Sequence, residues 1–281
     1  EDVRNQLMRA NLGGTDPAPV NSEDTDFTTY VDSAIHALSR FMAQETHRVF
    51  VPYKDTKTWY FNDYRFIHNL YACNPPKLDL DEDLLVLSSA TWDGTLLSAS
   101  YYREAPANTL PSEFLLFDVT GLPAQGTTFD SGLVIAGIWG YHENLVDAWE
   151  TISSSVTLAN ATVTSLTVTD ASLYKTWQYI RIEDEYLQIT GRNETTEVLT
   201  VKRGVNGTTA AAHTAQACQI FKPMADIELA ATRLVCYAYT HRNDRGNQIE
   251  VLPDGTVSLN TIPLLVKATL MNYQKNTWGA I

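Results

Sequence analysis

Between Phe27 and Met42 the apolar residues Phe27, Tyr30, Val31, Ala34, Ile35, Leu38, Phe41 and Met42 recur three and four positions apart, with Asp32, His36 and Arg40 between them. One face of a helix repeats at that spacing, so the pattern predicts an amphipathic helix running to about His47, inside a core-helix segment 24–52. Asp24 or Asp26 stands where a carboxylate caps the free amides of the first turn. After Pro52 the period falls to two and aromatic residues crowd in. Thr58–Phe61, Leu84–Leu87, Thr95–Tyr101, Glu113–Val119 and Leu133–Tyr141 read as strands, with turn chemistry at Asp93-Gly94, Pro106, Pro111 and Gly121-Leu122-Pro123. Short strands at this spacing predict an antiparallel sandwich or barrel-like sheet over residues 53–141.

Leu145, Val146, Trp149 and Ile152 return to helical spacing, which predicts a second core helix over 142–155. A second β module follows at 156–222. It opens on the alternating "SVTLANATVTSLTVTDAS"; two strands, "YIRIEDEYLQIT" and "EVLTVKRG", then flank Gly191-Arg192-Asn193-Glu194. Glu183-Asp184-Glu185 falls at a bend between apolar positions. In the C-terminal segment 223–281, Pro223 opens a helix with the stripe Ile227, Ala231, Leu234 and Ala238. An extended piece, Ile249–Leu252, meets a turn at Pro253-Asp254-Gly255, and Pro263 starts a last helix carrying Leu265, Val266, Ala268, Leu270 and Tyr273. Residues 1–23, broken by Gly13-Gly14, Pro17 and Pro19, read as a mobile N-terminal arm. The fold class that follows is α+β, a helical-bundle core built from both chain ends with two antiparallel β insertions.

Charge narrows the function classes. The 281 residues carry a formal net charge of −13, a poor match to the phosphates of nucleic acid or an anionic membrane. Cys73, Cys218 and Cys236 form no CxxC pair and no even framework, which fits a reducing compartment or buried thiols. No apolar run approaches the roughly 18 residues of a membrane helix, and the first twenty residues lack a signal-peptide core. Asn160, Asn193 and Asn206 stand in N-x-[ST] triplets, which carry little meaning without a secretion signal. The expectation is an acidic soluble protein, intracellular or particle-borne.

Candidate chemistry is sparse. Asp81-Glu82-Asp83 and Glu183-Asp184-Glu185 suit a metal only with further ligands, and read more simply as solvated charge at turns. His142-Glu143 starts like a zinc-protease helix, but Val146 stands where the second histidine belongs. Gly121 to Gly126 lacks the Lys-Ser/Thr of a phosphate loop, and Ser153–Ser155 lack the glycines of a nucleophile elbow. The expectation is no catalysis, no cofactor and no metal. Six tryptophans suit a sugar-stacking surface, yet most fall on apolar strand or helix positions and so read as core. Trp278, in a polar tail with Tyr273, Lys275 and Ile281, reads instead as part of a docking anchor.

The passage "IRIEDEYLQITG … VLTVKRGVNGTTAAAH … CQIF" resembles a β module recurrent in virion proteins of tailed phages. Locally, Gly204 and Gly207 permit positive φ, Arg203 can span the turn to an acid, Ala210–Ala212 suit a tight space, and His213 reads as a hydrogen-bonded turn residue. Around it, the Thr46–Phe50 helix exit, "LDLDEDLLVLSSATWDG", "YYREAPANTLP", "LVIAGIWGY" and the two closing helices resemble, over roughly residues 25–275, the head–tail connector (adaptor) proteins of tailed phages. That resemblance implies a structural virion protein made in the host cytoplasm and located in the neck. It would form an oligomeric ring, commonly a dodecamer of identical subunits, docked on the portal protein. The ring would extend a channel through which DNA passes without specific binding, and receive the next neck or tail protein. The competing expectation is a glycan-binding β module of a tail fibre or baseplate.

Overall fold

The computed structural model describes residues 25–63, 75–118, 120, 122–123, 128, 131–240, 249–251, 257–259 and 262–275. The arm 1–23, the turn Pro253-Asp254-Gly255, Cys73, Trp278 and Ile281 lie outside them. The chain divides into two compact units, one comprising residues 1–48 and 224–281, the other residues 49–223.

The helical-bundle core expected from the sequence is not what forms. Strands hold 42% of the chain and helices 20%, so two antiparallel sheets dominate. Three α-helices, α1 (Thr25–Thr46), α2 (Ala225–Thr240) and α3 (Leu264–Asn272), pack together in the first unit. Ala34, Leu38, Met42 and Thr46, four residues apart, form the buried line of α1. His47 ends it with φ 53°, and the Arg48 amide reaches back to the Ala43 carbonyl at 3.3 Å, closing the helix end. Ile227, Ala230, Leu234, Val235 and Ala238 are buried on α2. On α3, Val266 and Leu270 face inward, while Leu264, Leu265 and Met271 are 83%, 57% and 63% exposed. This helix is apolar on two faces and buries one of them.

The second unit carries both large sheets. In the first sheet the order is β1 (Tyr53–Tyr60), β6 (Gly132–Trp139), β2 (Lys77–Trp92), β5 (Ser112–Phe117), β4 (Tyr102–Ala105), with the short β3 (Thr95–Leu96) on β2. Asp93 and Gly94, both at positive φ, make the β2–β3 hairpin turn, as their sequence predicts. The strand expected over Thr95–Tyr101 stops at Leu96: the Leu97 amide still meets the Ala90 carbonyl in hairpin register at 2.8 Å, and the chain then turns, with the Tyr101 amide on the Ser98 carbonyl at 2.9 Å. Nor is Asp81-Glu82-Asp83 a turn. It is a bulge inside β2, between the Asp79–Phe114 and Leu84–Ser112 pairs, where β2 leaves β5 and takes up β6. Trp92, Trp139, Leu84, Leu115, Phe117, Leu133 and Ile135 fill this core.

The expected helix over 142–155 is likewise replaced. Residues 142–148 are turns, and Trp149–Leu158 is strand β7. The residues Thr151-Ile152-Ser153-Ser154-Ser155-Val156-Thr157 favour a pleated surface, and β7 gains a full partner in β12 (His213–Phe221). The sheet runs β7, β12, β9 (Tyr179–Ile182), β10 (Glu185–Asn193), β11 (Val198–Lys202), β8 (Ser165–Thr167), and its two ends approach each other, so it curls into a barrel. Alternate residues point inward: Ile180 and Ile182, Leu187 and Ile189, Leu199 and Val201 are all buried with Tyr174 and Cys218. Gly191 to Asn193 belong to β10, and the hairpin turn comes later, at Glu194–Glu197, capped by Asn193 Oδ1 on the Thr195 and Thr196 amides. Asn160 Oδ1 caps the Thr162 and Val163 amides in the same way. Two of the three N-x-[ST] triplets are thus turn caps.

Candidate functional site

The sequence Arg203-Gly204-Val205-Asn206-Gly207 leaves β11 at a point where the backbone must reverse, and Gly204, Asn206 and Gly207 do so at φ 58°, 52° and 74°. The reversal swings Arg203 back across the barrel mouth onto Glu185, the first residue of β10. Arg203 Nε donates to Glu185 Oε1 at 2.7 Å and Nη2 to Oε2 at 2.8 Å. Glu185 also accepts from the Gly204 amide at 3.0 Å, the Ala211 amide at 3.0 Å and His213 Nε2 at 2.8 Å. The other ring nitrogen of His213 meets Glu183 Oε2 at 2.7 Å. The imidazole is thus held between two carboxylates, one on each ring nitrogen.

The structure thus brings Arg203, Gly204 and His213 together around one carboxylate, and places Gly207 away from it at the tip of the turn. What the sequence missed is Glu185. It is not solvated charge: its side chain is 1% exposed and Arg203's is 5% exposed, while Asp184 beside it is fully exposed. Strand alternation could have found it, since Glu185 shares its face with the inward Leu187 and Ile189. Burial works against the Glu185 charge, but the hydrogen bonds from Arg203, the Ala211 amide, His213 and the Gly204 amide outweigh it and bring the carboxyl down to about 2. Arg203 also donates to the Asn160, Val163 and Ala211 carbonyls. The Glu185 carboxylate and the Arg203 guanidinium spend their hydrogen bonds on one another and on the loop around them, an arrangement that suits a structural clamp. Ala211 and Ala212 are exposed rather than wedged in a tight space. The backbone amide of Ala211, not its small side chain, is what the network uses.

Other candidates resolve similarly. His142 Nδ1 accepts from the Asn144 amide at 3.0 Å, so Nε2 carries the proton and donates to the Lys222 carbonyl at 3.2 Å. Among the described residues, no group of three or more His, Cys, Asp or Glu side chains could hold a metal ion. Burial pushes the Cys218 thiol up to about 11, leaving it inert. Trp92, Trp139 and Trp149 are buried, so they fill core and cannot stack on a sugar. A surface cleft of about 590 Å³ lies between the start of β2 and the β4–β5 pair, lined by Pro75, Pro76, Tyr101, Tyr102, Arg103 and Asp118 among others.

Of the proposed docking anchors, Tyr273 and Lys275 are held inside the helical unit. The Tyr273 carbonyl accepts from Arg48 Nε at 2.7 Å, its hydroxyl donates to Asp226 Oδ2, and the Lys275 amide donates to the Thr46 carbonyl at 2.8 Å. The polar tail therefore has internal support through Lys275. No family model matches the chain, and no curated protein matches it.

Proposed function

We propose that this chain is a structural protein of the tailed-phage neck, a ring-forming head–tail connector that docks on the portal protein, lengthens the DNA channel and receives the next neck or tail component. The observation that carries this reading is the closed network around Glu185. The passage that resembles a virion β module spends Arg203, His213 and the Gly204 amide on holding one loop, which supports a structural role. Two further features support it. The α3 face of Leu264, Leu265 and Met271 stays in water in a single copy, and neighbouring identical subunits would cover it. The net charge of −13 suits a channel wall that DNA passes without being held. No ion or cofactor enters this role.

One observation favours a second reading, a glycan-binding module of a fibre or baseplate. The cleft beside β4 combines tyrosines with an arginine and a carboxylate, groups that stack on and hydrogen-bond to sugars. Mass photometry of the purified protein, alone and mixed with portal protein, separates the two. The connector reading expects a closed assembly of about twelve copies on the portal, formed through many weak contacts acting together. A trimer indifferent to portal protein would favour the fibre module and overturn the connector.

A further inference from the structure

We propose that the Val205–Thr208 turn is a latch that clips a self-contained β-barrel onto the outer edge of β1, and that this joint opens while both sheets remain folded. The two sheets have separate interiors. Twelve buried residues make one core and fourteen the other, with none in common. The apolar seam by which the turn meets β1 is smaller: a separate cluster of Ala148, Trp149, Tyr186 and Phe221, none of them in the first sheet, against which Val205 of the turn and Val51 just before β1 are packed. Four buried residues against twelve and fourteen make the seam the place where the β unit gives first.

The turn itself is shaped from the barrel side. The Val205 amide donates to the Tyr186 carbonyl at 3.0 Å, Thr208 Oγ1 accepts from the Tyr186 amide at 3.0 Å, and Glu185 holds the Gly204 and Ala211 amides. So fixed, it behaves as a strand fragment added to an edge. The Lys54 amide donates to the Asn206 carbonyl at 2.9 Å, and Asn206 Nδ2 donates to the Pro52 carbonyl at 3.2 Å. Lys54 Nζ adds a contact to the Asp184 carbonyl at 3.1 Å. Gly207 makes the approach possible: a Cβ there would stand 1.8 Å from the Lys54 carbonyl oxygen. The next outward amide of β1, Thr56, is met by the Asp55 side chain at 2.8 Å. Latch and aspartate together cover the first two outward amides of an edge that would otherwise pair with foreign strands.

Amide exchange on the full-length chain tests this. In Gly207→Ala the Lys54 amide should exchange roughly tenfold faster or more. Ile189 and Val201 in the barrel, and Leu97 and Phe117 in the first sheet, should keep their wild-type protection. Should Gly207→Ala fail to fold, Asn206→Gly keeps the positive φ and removes only the Pro52 contact, and Lys54 exchange should still rise several-fold. Unchanged Lys54 protection in the variant that folds would overturn the latch. So would a joint loss of protection at Lys54 and at the four core amides, since the β unit would then open as one body.

Discussion

Glu185 and Arg203 lie 18 residues apart in sequence and meet as a two-pronged ion pair, 2.7 and 2.8 Å, with both side chains almost fully buried. A pair so placed is costly to break from one side. Glu185→Gln leaves a buried guanidinium without its counter-charge, and should destabilise the β unit by about 3–5 kcal/mol in chemical denaturation.

The same carboxylate sets an acid limit. Its pKa falls from an ordinary 4.5 to about 2 on folding. A depressed folded-state value gives stability that is fully present above pH 4.5 and is lost as pH falls toward 2, worth roughly 3 kcal/mol across that window. Acid titration of wild type should show this loss, and Glu185→Gln should flatten it. An equally steep loss in the variant would assign the acid sensitivity elsewhere.

The exposed face of α3 should matter to assembly and not to folding. Leu264 and Met271 contact little within their own unit, so Leu264→Ser with Met271→Ser should shift the melting temperature by only a few degrees. The double variant should nevertheless lose the large assembly in mass photometry. Retained assembly would mean that this face is not between subunits.

Much of this architecture is legible in the sequence, and the misses have physical causes. The α1 stripe, the Asp93-Gly94 hairpin and the Arg203–His213 turn follow from spacing and glycine chemistry that tertiary packing did not override. Trp149 and Ile152 failed as helix markers because they, with Thr151, Val156 and Thr157, also suit a strand, and the neighbour β12 decided the matter. The bulge at Asp81–Asp83 was hidden because a charged run looks like a turn when the strand's two partners are unknown. Glu185 was hidden for a related reason: a carboxylate at a bend looks solvated until the arginine and amides that neutralise it are brought round from residues 203–213.

The tail prediction becomes sharper with Tyr273 and Lys275 held inside the helical unit. Removal of residues 276–281 alone, taking Trp278 and Ile281, should leave the fold intact by circular dichroism. It should also abolish attachment to portal-bearing heads, because each copy would lose its apolar anchor and the ring would lose avidity. Normal decoration of the heads by the truncated protein would rule out the anchor.

The connector assignment is tested most directly by locating the protein on the particle. Electron micrographs of phage labelled with antibody against this chain, averaged about the tail axis, should place it as a single collar of high rotational symmetry at the junction of head and tail. Label at the tips of fibres or on the baseplate, with three-fold clusters and an empty neck, would contradict it.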